Sequence, residues 1–298
     1  MKRLSRVQQA SALQVTGALR TTPDDLLEVH VGLTLMNLRI TKICVQAAAR
    51  TSLLGSHPLC RPAEKAAQFV QRHWAPLHYI LKAWGKSLGK MEVIEVVRHL
   101  LDWKCPVRVV VGEIAEEVVE REQNNKADIR IYMDGSGYKG MVGAVVVLYR
   151  GMEKEKVLRK QLGSEEDHMV YKGESVEQVL GFELLRGEMR RQRKVRTVTM
   201  GTDNQVGLRA LEVRESGIAR YIMDEVLEGI HKVKVVNSGM DITVCWTPGH
   251  IGIPGNEKAD KEVKCTVEGK ETELRGLHFL RKPLKMSKAT VLATYKKQ

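Results

Sequence analysis

Four acidic residues occupy positions from which carboxylate groups could do chemistry. Asp134 ends the strand-like run "DIRIYMD" and Asp203 closes a second such run, while Glu174 and Asp260 lie in helical segments. Grouped carboxylates hold hard divalent cations, and such cations activate water for hydrolysis. Each acid also has an ordinary interpretation by itself: a turn for Asp134, a helix cap for Asp203, and a plain helical acid for the other two.

The run "WTPGHIGIPGNEKAD" favours the chemical interpretation. Trp246 ends a strand, a loop rich in Gly and Pro carries His250, and Asp260 stands on the helix that follows. A histidine on a loop is a mobile base near neutral pH, whereas a carboxylate on a helix is held in place. We therefore expect a base and an acid at one edge of a sheet, which is an active-site layout. The alternative for His250 is a surface-loop histidine without a role.

Strand-like and helical segments from Ala127 onward must position these residues. Three strands are followed by a helix, a strand, two helices, a strand and a last helix. The predicted strands are "DIRIYMD", "MVGAVVVLYRG", "KVLRKQLG", "VRTVTMG" and "DITVCW", and the predicted helices lie near Val170–Arg190, Val206–Glu212, Ile218–Lys232 and Asn256–Val267. This order predicts an α/β fold with a mixed five-stranded sheet flanked by helices.

The whole chain of 298 residues divides into four predicted regions. These are a small helical segment at 1–85, a connector at 86–126 with one strand at Val107–Val111, the α/β domain at 127–268, and a basic tail at 269–298. In the helical segment, Thr22 is expected to cap a helix that starts at Pro23. Further helices are predicted at Leu33–Leu54, with Gly55 as the stop, and at Pro62–Trp74 and Leu77–Trp84.

The charge of the chain favours a polyanionic partner. The formal net charge is +12, and half of that excess lies after Gly269, where eight basic residues stand against two acidic ones. A basic tail is either a solvated terminus or a contact surface for nucleic acid. The first twenty residues also carry four basic side chains and no acid, which would suit a mitochondrial presequence as well as a capped helix.

Cysteine usage and hydropathy exclude several classes of protein. The five cysteines are scattered and never form a C-x-x-C pair, so neither a disulfide framework nor a zinc knuckle is predicted. The longest apolar run, Val142–Tyr149, is far shorter than a membrane span and reads as a buried strand. No P-loop, Ser-His-Asp arrangement or heptad seam is visible. We expect an intracellular protein, nuclear or cytoplasmic, with no membrane partner.

Four sequence blocks carry a resemblance to a known family. "IYMDGSG", "VYKGE", "GTDNQ" and "WTPGHIGIPGNEKAD" resemble, in order and spacing, the signature of type I ribonuclease H. The match is to the version at the C-terminus of fungal non-LTR (LINE-like) retrotransposon polyproteins. The segments "VQQASALQVTGALRTTPDDLLEVHVGL" and "LRKPLKMSKATV" resemble the regions that flank the nuclease there. No paired-aspartate motif of a polymerase core is visible, so we expect a truncated or domesticated remnant of such a polyprotein.

The resemblance implies a metal site. The acids that the family requires match Asp134, Glu174, Asp203 and Asp260, and its loop histidine matches His250. Asp134 would be shared by two ions and the other three acids would complete the ligand sets, in a division that the sequence leaves open. His250 would assist proton transfer or product departure. Carboxylate ligands without cysteine suit Mg²⁺, with Mn²⁺ as a substitute, rather than zinc, and repulsion among the acids should weaken metal binding in the empty site.

The resemblance also implies a substrate, an RNA/DNA hybrid cut on its RNA strand with little dependence on sequence. Gly135, Ser136 and Gln205 flank the central aspartates and are the residues expected to contact the 2′-hydroxyl groups of the RNA. The segment 211–237 has no basic protrusion bearing Trp of the kind that bacterial relatives use to grip a hybrid. Affinity would then depend on the basic tail or on a partner such as a polymerase. The chain itself is expected to be a monomer.

Two small departures from the family pattern stand beside the acids. Lys172 and Gly173 precede Glu174 where many members have other small or polar residues, and Gly201 is expected to loosen the strand before Asp203. Neither departure removes an acid.

Three functions therefore compete. The first is an endoribonuclease acting on hybrids, the second a catalytically silent nucleic-acid-binding remnant, and the third a metal-dependent nuclease of the same fold with another substrate. Retention of all four acids favours an enzyme over the silent remnant.

Overall fold

The computed structural model describes residues 2–53, 58, 88–94, 97, 102–111, 114–151, 153–191, 195–249, 251–272, 274 and 277–297. The chain divides into two compact units, Met1–Val93 and Ile94–Gln298. The region predicted as a connector therefore lies almost wholly in the second unit. None of the described helices is long and apolar enough to cross a membrane.

The first unit is helical in its described part. It contains α1 (Lys2–Thr16), α2 (Asp24–His30), α3 (Met36–Leu53) and a 3-10 turn at Leu88–Lys90. Small and apolar side chains are buried between these helices, among them Ala12, Leu27, Val45 and Ala49. Helix α2 begins at Asp24 with Pro23 as its N-cap residue, so the predicted cap at Thr22 is one residue too early. Gly55 and the two helices predicted at 62–74 and 77–84 lie outside the described residues.

The second unit is built from six strands, six α-helices and a 3-10 turn at His278–Arg281 in its described part. The strands are β1 (Arg108–Val110), β2 (Ile129–Tyr138), β3 (Met141–Arg150), β4 (Glu153–Ser164), β5 (Thr197–Thr202) and β6 (Asp241–Trp246). The helices are α4 (Ala115–Gln123), α5 (Val170–Met189), α6 (Gln205–Glu212), α7 (Arg220–Val236), α8 (Pro254–Val267) and α9 (Lys288–Lys297). The predicted α/β class is confirmed.

The strands form one mixed sheet in the order β1-β6-β5-β2-β3-β4. Strands β1, β6, β5 and β2 run parallel to their neighbours, whereas β2, β3 and β4 form antiparallel pairs. The sheet has one strand more than the five predicted, because the strand predicted in the connector at Val107–Val111 is β1, whose Arg108 pairs with Thr243 and extends the sheet beyond β6. Pairing satisfies the backbone groups of β6 on both sides, which a strand in the middle of a sheet requires.

Helices cover both faces of the sheet. Alternate residues of β2 and β3, including Ile131, Met133 and Val146, join a large core with α5 and α7. The intervening residues, including Tyr132 and Val145, pack against Ala259 and its neighbours on α8. Strand β3 is apolar on both faces for this reason, as expected for a strand buried between two layers.

The predicted basic tail is folded onto the second unit. The amide N–H of Thr272 donates to the carbonyl oxygen of Arg159 on the edge strand β4, at 3.1 Å. Farther along, Leu280, Met286 and Val291 are buried. A tail that only displays charge to solvent would bury no such side chains, so the described part of it is not a free terminus.

Candidate active site

Asp134 lies inside β2 rather than at its end. The strand continues to Tyr138, Asp134 pairs with Val145 of β3, and the hairpin turns at Lys139 and Gly140. The turn predicted from the Asp-Gly pair is therefore absent from this described segment. Because side chains alternate along a strand, Asp134 shares the face of Tyr132, which is the face covered by α8.

Asp203 stands beside Asp134 because of how the parallel strands end. The pairing of β2 with β5 finishes at Met133 and Thr202, so Asp134 and Asp203 are the next residues on two neighbouring strands. Asn204 caps α6 by accepting a hydrogen bond from the N–H of Gly207 at 2.9 Å. The capping role considered for Asp203 thus belongs to Asn204, and the side chain of Asp203 is exposed.

Glu174 is brought to this point by a close crossing of α5 over β2. A Cβ atom on Gly135 would lie 2.2 Å from the backbone nitrogen of Glu174, and one on Gly173 would lie 2.8 Å from the carbonyl oxygen of Gly143. Only glycine permits backbones to approach so closely. Gly173 therefore has a packing reason in this chain.

Asp260 reaches the site from the opposite face, on α8. Its Oδ2 atom accepts a hydrogen bond from Nζ of Lys264 at 2.7 Å, one helical turn later. Lys264 in turn lowers the pKa of Asp134 while burial and the other acids raise it. The ammonium group thus lies in the electrostatic field of the acid cluster.

Burial makes the carboxyl groups of Asp134 and Glu174 hard to ionise, and neighbouring acids add to the effect. Burial, then the charges of Asp203 and Asp260, raise the pKa of Asp134 to about 7. Burial, then the charge of Asp203, raise the pKa of Glu174 to about 7. Atom Oδ2 of Asp134 is buried and accepts no hydrogen bond from any described residue. Clustered acids with an unsatisfied oxygen favour the binding of a cation.

Glu177 is a buried acid that the sequence interpretation missed. Its side chain is fully buried. The hydroxyl group of Thr202 donates to Oε1 of Glu177, while Oε2 has no hydrogen-bond partner among the described residues. Burial, followed by the charges of Asp134, Asp203 and Glu174, raises its pKa well above the usual range. A signal was present in the sequence, because Glu177 follows Glu174 by three residues and so shares its helix face.

The loop after β6 begins at the same place. The N–H of Thr247 donates to the carbonyl oxygen of Thr202 at 2.8 Å, and a Cβ atom on Gly249 would lie 3.3 Å from Oδ2 of Asp203. His250 itself lies outside the described residues. A Cβ atom on Gly201 would lie 2.7 Å from Thr247, so this glycine makes room for the loop.

The donor set suits a hard divalent cation. It consists of carboxylate oxygens, which Mg²⁺ and Mn²⁺ prefer, and one of them is the buried unsatisfied Oδ2 of Asp134. Among the described residues, no three His, Cys, Asp or Glu side chains are arranged to hold an ion as they stand.

No protein-family model matches the sequence, and no curated protein matches it. Solved structures of ribonucleases H1 are similar to part of the chain. One is LC11-RNase H1 in complex with an RNA/DNA hybrid, at 15% identity, over 47% of this chain and 96% of that chain, with a TM-score of 0.37. Another is RNase H1 from the archaeon Halobacterium salinarum NRC-1, at 13% identity, over 47% and 97%, with a TM-score of 0.34.

Proposed function

We propose that the chain is a metal-dependent endoribonuclease that hydrolyses the RNA strand of RNA/DNA hybrids. The observation that carries this proposal is the convergence of Asp134 and Asp203 at the end of a parallel strand pair, with Glu174 and Asp260 reaching them from opposite faces. The four acids lie far apart in the sequence, and the charges of Asp203, Asp260 and Glu174 all act on the carboxyl group of Asp134.

The residues have distinct proposed roles. Two divalent ions would supply the activation of water and the neutralisation of charge at the scissile phosphate. Asp134, with its buried unsatisfied oxygen, is suited to be the shared ligand, and Glu174, Asp203 and Asp260 would complete the ligand sets. Glu177 holds Thr202, the residue before Asp203, and so positions that acid. His250 would accept or deliver a proton from its loop.

Hybrid selection would depend on groups beside the acids. Ser136 lies two residues beyond Asp134 on the same strand face, and Gln205 begins α6 next to Asn204. Gly135 lies between Asp134 and Ser136, and its lack of a side chain allows α5 to cross close to β2 at this point. These are the positions from which polar groups could contact 2′-hydroxyl groups without contacting the bases.

The order of the sequence blocks supports a retroelement origin for this nuclease.

A cleavage assay with a labelled hybrid tests the proposal. The chain should cut the RNA strand in millimolar Mg²⁺ and lose this activity in EDTA. Asp134→Asn should lower the rate about a hundredfold or more, since metal stabilisation of the transition state is worth several kcal/mol. Asp241→Asn, an exposed acid at the far end of β6, should have no effect. Circular dichroism should show that both variants keep the fold.

Parallel substrates separate the alternatives. Equal cutting of hybrid, duplex RNA and duplex DNA would contradict selection by 2′-hydroxyl groups and support a nuclease of broader substrate range. Binding of the hybrid without cleavage in either Mg²⁺ or Mn²⁺ would overturn the enzymatic proposal and support the silent binding remnant.

A further inference from the structure

The C-terminal segment, defined as residues 277–297, is packed beside the helix that carries Glu174. Ser287 is fully buried, and its N–H donates to the carbonyl oxygen of Asp167 at 2.7 Å, three residues before α5 begins. The ring of Phe279 lies 5.9 Å from the ring of Tyr221 on α7 in an edge contact. The segment is thus held at two points, one just before α5 and one on α7.

Lys172 joins this segment to α5. Its side chain is fully buried, two residues before Glu174. Its Nζ atom donates to the carbonyl oxygen of Lys285 at 2.6 Å and lies 5.5 Å from the ring centroid of Tyr221. A buried ammonium group is costly unless such contacts satisfy it, so the position of Lys285 and the position of Lys172 depend on each other.

The start of α5 lacks the usual local stabilisation. The N-cap residue is Met169, which makes no side-chain capping hydrogen bond, and the first turn has no acidic residue. A lysine near a helix N-terminus is unfavourable for the helix dipole, so Lys172 does not serve helix stability by itself. Unsatisfied amides make first turns prone to fraying, and Glu174 is only the fifth residue of α5.

We propose that Lys172 is a positioning residue through which the C-terminal segment clamps the first turn of α5 and thereby holds Glu174 in place for metal binding. This inference rests on the proposed function, because it concerns how one acid of that site is held. It gives the basic tail a role within the nuclease that is separate from any contact with nucleic acid.

The test compares Lys172→Met with a control that only destabilises. Lys172→Met keeps the length of the side chain and removes the donor, whereas Val233→Ala opens the core on α7 away from the acids. Calorimetric titration of the full chain with Mg²⁺ should show about tenfold weaker binding for Lys172→Met, the size typical when a group supporting a ligand is lost. Val233→Ala should bind Mg²⁺ as the unaltered chain does. Lys172→Arg, which keeps a charged donor, should restore part of the affinity.

Amide hydrogen exchange gives a second readout without metal. Exchange over residues 170–177 should be faster in Lys172→Met than in Val233→Ala, because the clamp is local to that turn. Unchanged Mg²⁺ affinity together with unchanged exchange in Lys172→Met would overturn the inference, even if the variant melts at a lower temperature.

Milder variants decide the matter if Lys172→Met fails to fold. Tyr221→Leu removes the ring beside the ammonium group, and Tyr221→Phe keeps it. The Leu variant should bind Mg²⁺ more weakly than the Phe variant, and equal binding would contradict the clamp. Failure of the unaltered chain to bind Mg²⁺ would overturn the proposed function and this inference together. If the natural chain cleaves the hybrid and the Lys172 and Tyr221 variants bind Mg²⁺ as tightly as it does, only this inference is overturned and the proposed function stands.

Discussion

The carboxyl group of Asp134 illustrates how a residue of the proposed metal site can work against the stability of the fold. It is 7% exposed, its Oδ2 atom has no described hydrogen-bond donor, and three other acids act on it. In an unfolded chain the same group titrates near 4. Since its pKa in the folded protein is raised to about 7, folding is penalised whenever the solution pH favours the ionised form.

Replacing Asp134 with Asn should therefore stabilise the metal-free protein at alkaline pH. The penalty is absent below about pH 4, grows as the pH rises toward 7, and is complete above that. Urea unfolding in EDTA should show Asp134→Asn to be more stable than the unaltered chain at about pH 8, on the order of a few kcal/mol, and nearly equal at about pH 4. A stability difference that is independent of pH, or a destabilised variant, would contradict the raised pKa.

Lys264 should compete with metal for Asp260. Its Nζ atom lies 2.7 Å from Oδ2 of Asp260, in a partly exposed pair that contributes little to stability. Lys264→Met should free the carboxylate and strengthen Mg²⁺ binding by a factor of about two to five, the equivalent of up to ~1 kcal/mol. Calorimetric titration measures this change.

Lys258→Met is the matched control for that experiment. Lys258 makes the same kind of pair on the same helix, one turn from Glu262 at 2.9 Å, and Glu262 is not one of the four acids. Its removal should leave Mg²⁺ affinity unchanged. If both variants shift the affinity equally, the effect is one of general charge rather than of competition at Asp260.

At the scale of elements, the crossing of α5 over β2 and β3 sets the distance between Glu174 and Asp134. The approach depends on glycines, and at Gly173 a Cβ atom would lie 2.8 Å from the carbonyl oxygen of Gly143 and 3.0 Å from Val142. Neither neighbour is the flexible end of a long side chain, so an added methyl group must push the helix away from the sheet.

Gly173→Ala should destabilise the fold by about 1–3 kcal/mol and reduce hybrid cleavage. Gly187 on the same helix is the matched control, because a Cβ atom there would meet nothing within 4 Å. Gly187→Ala should instead stabilise the protein by about 0.5–1 kcal/mol, since alanine is the better helix former. Chemical denaturation of the two variants compares these effects directly. Equal effects of the two substitutions would mean that the crossing is not as tight as described.

Local sequence was sufficient for most elements of the α/β domain. The strands and helices follow from alternation and helical periodicity, which depend on residues near each other in the chain. The exceptions are informative: β2 continues past Asp134 because β3 supplies hydrogen-bond partners as far as Tyr138, and α4 forms within the predicted connector. In α4, Val118 is buried, and Tyr132 of β2 donates a hydrogen bond to Glu122. In β2, pairing with β3 outweighs the local preference of Asp134 and Gly135 for a turn. In α4, contacts with the sheet stabilise a helix that the local pattern did not predict.

For the whole molecule, the division at Val93 and Ile94 predicts that the second unit folds by itself and carries the proposed activity. The second unit has its own sheet, its own core and all four acids. A fragment 94–298 should therefore fold, unfold cooperatively in urea, and cut the hybrid at a rate similar to that of the full chain. Loss of cooperative unfolding in the fragment would show that the first unit is needed for the fold. Cooperative unfolding with lost cleavage would assign the first unit a part in substrate binding.

The sequence by itself determined which acids are present, their order, and the type of element that carries each of them. Motif spacing is local information, so "WTPGHIGIPGNEKAD" and its companion blocks could be read without coordinates. Only the tertiary structure decided that Glu177 is buried, that Arg108 extends the sheet, and that Lys172 meets the backbone of Lys285. The hydrogen bonds of Arg108 with Thr243 and of Lys172 with Lys285 each join residues more than a hundred positions apart. No local sequence pattern encodes such distant partners, and none encodes the burial of Glu177.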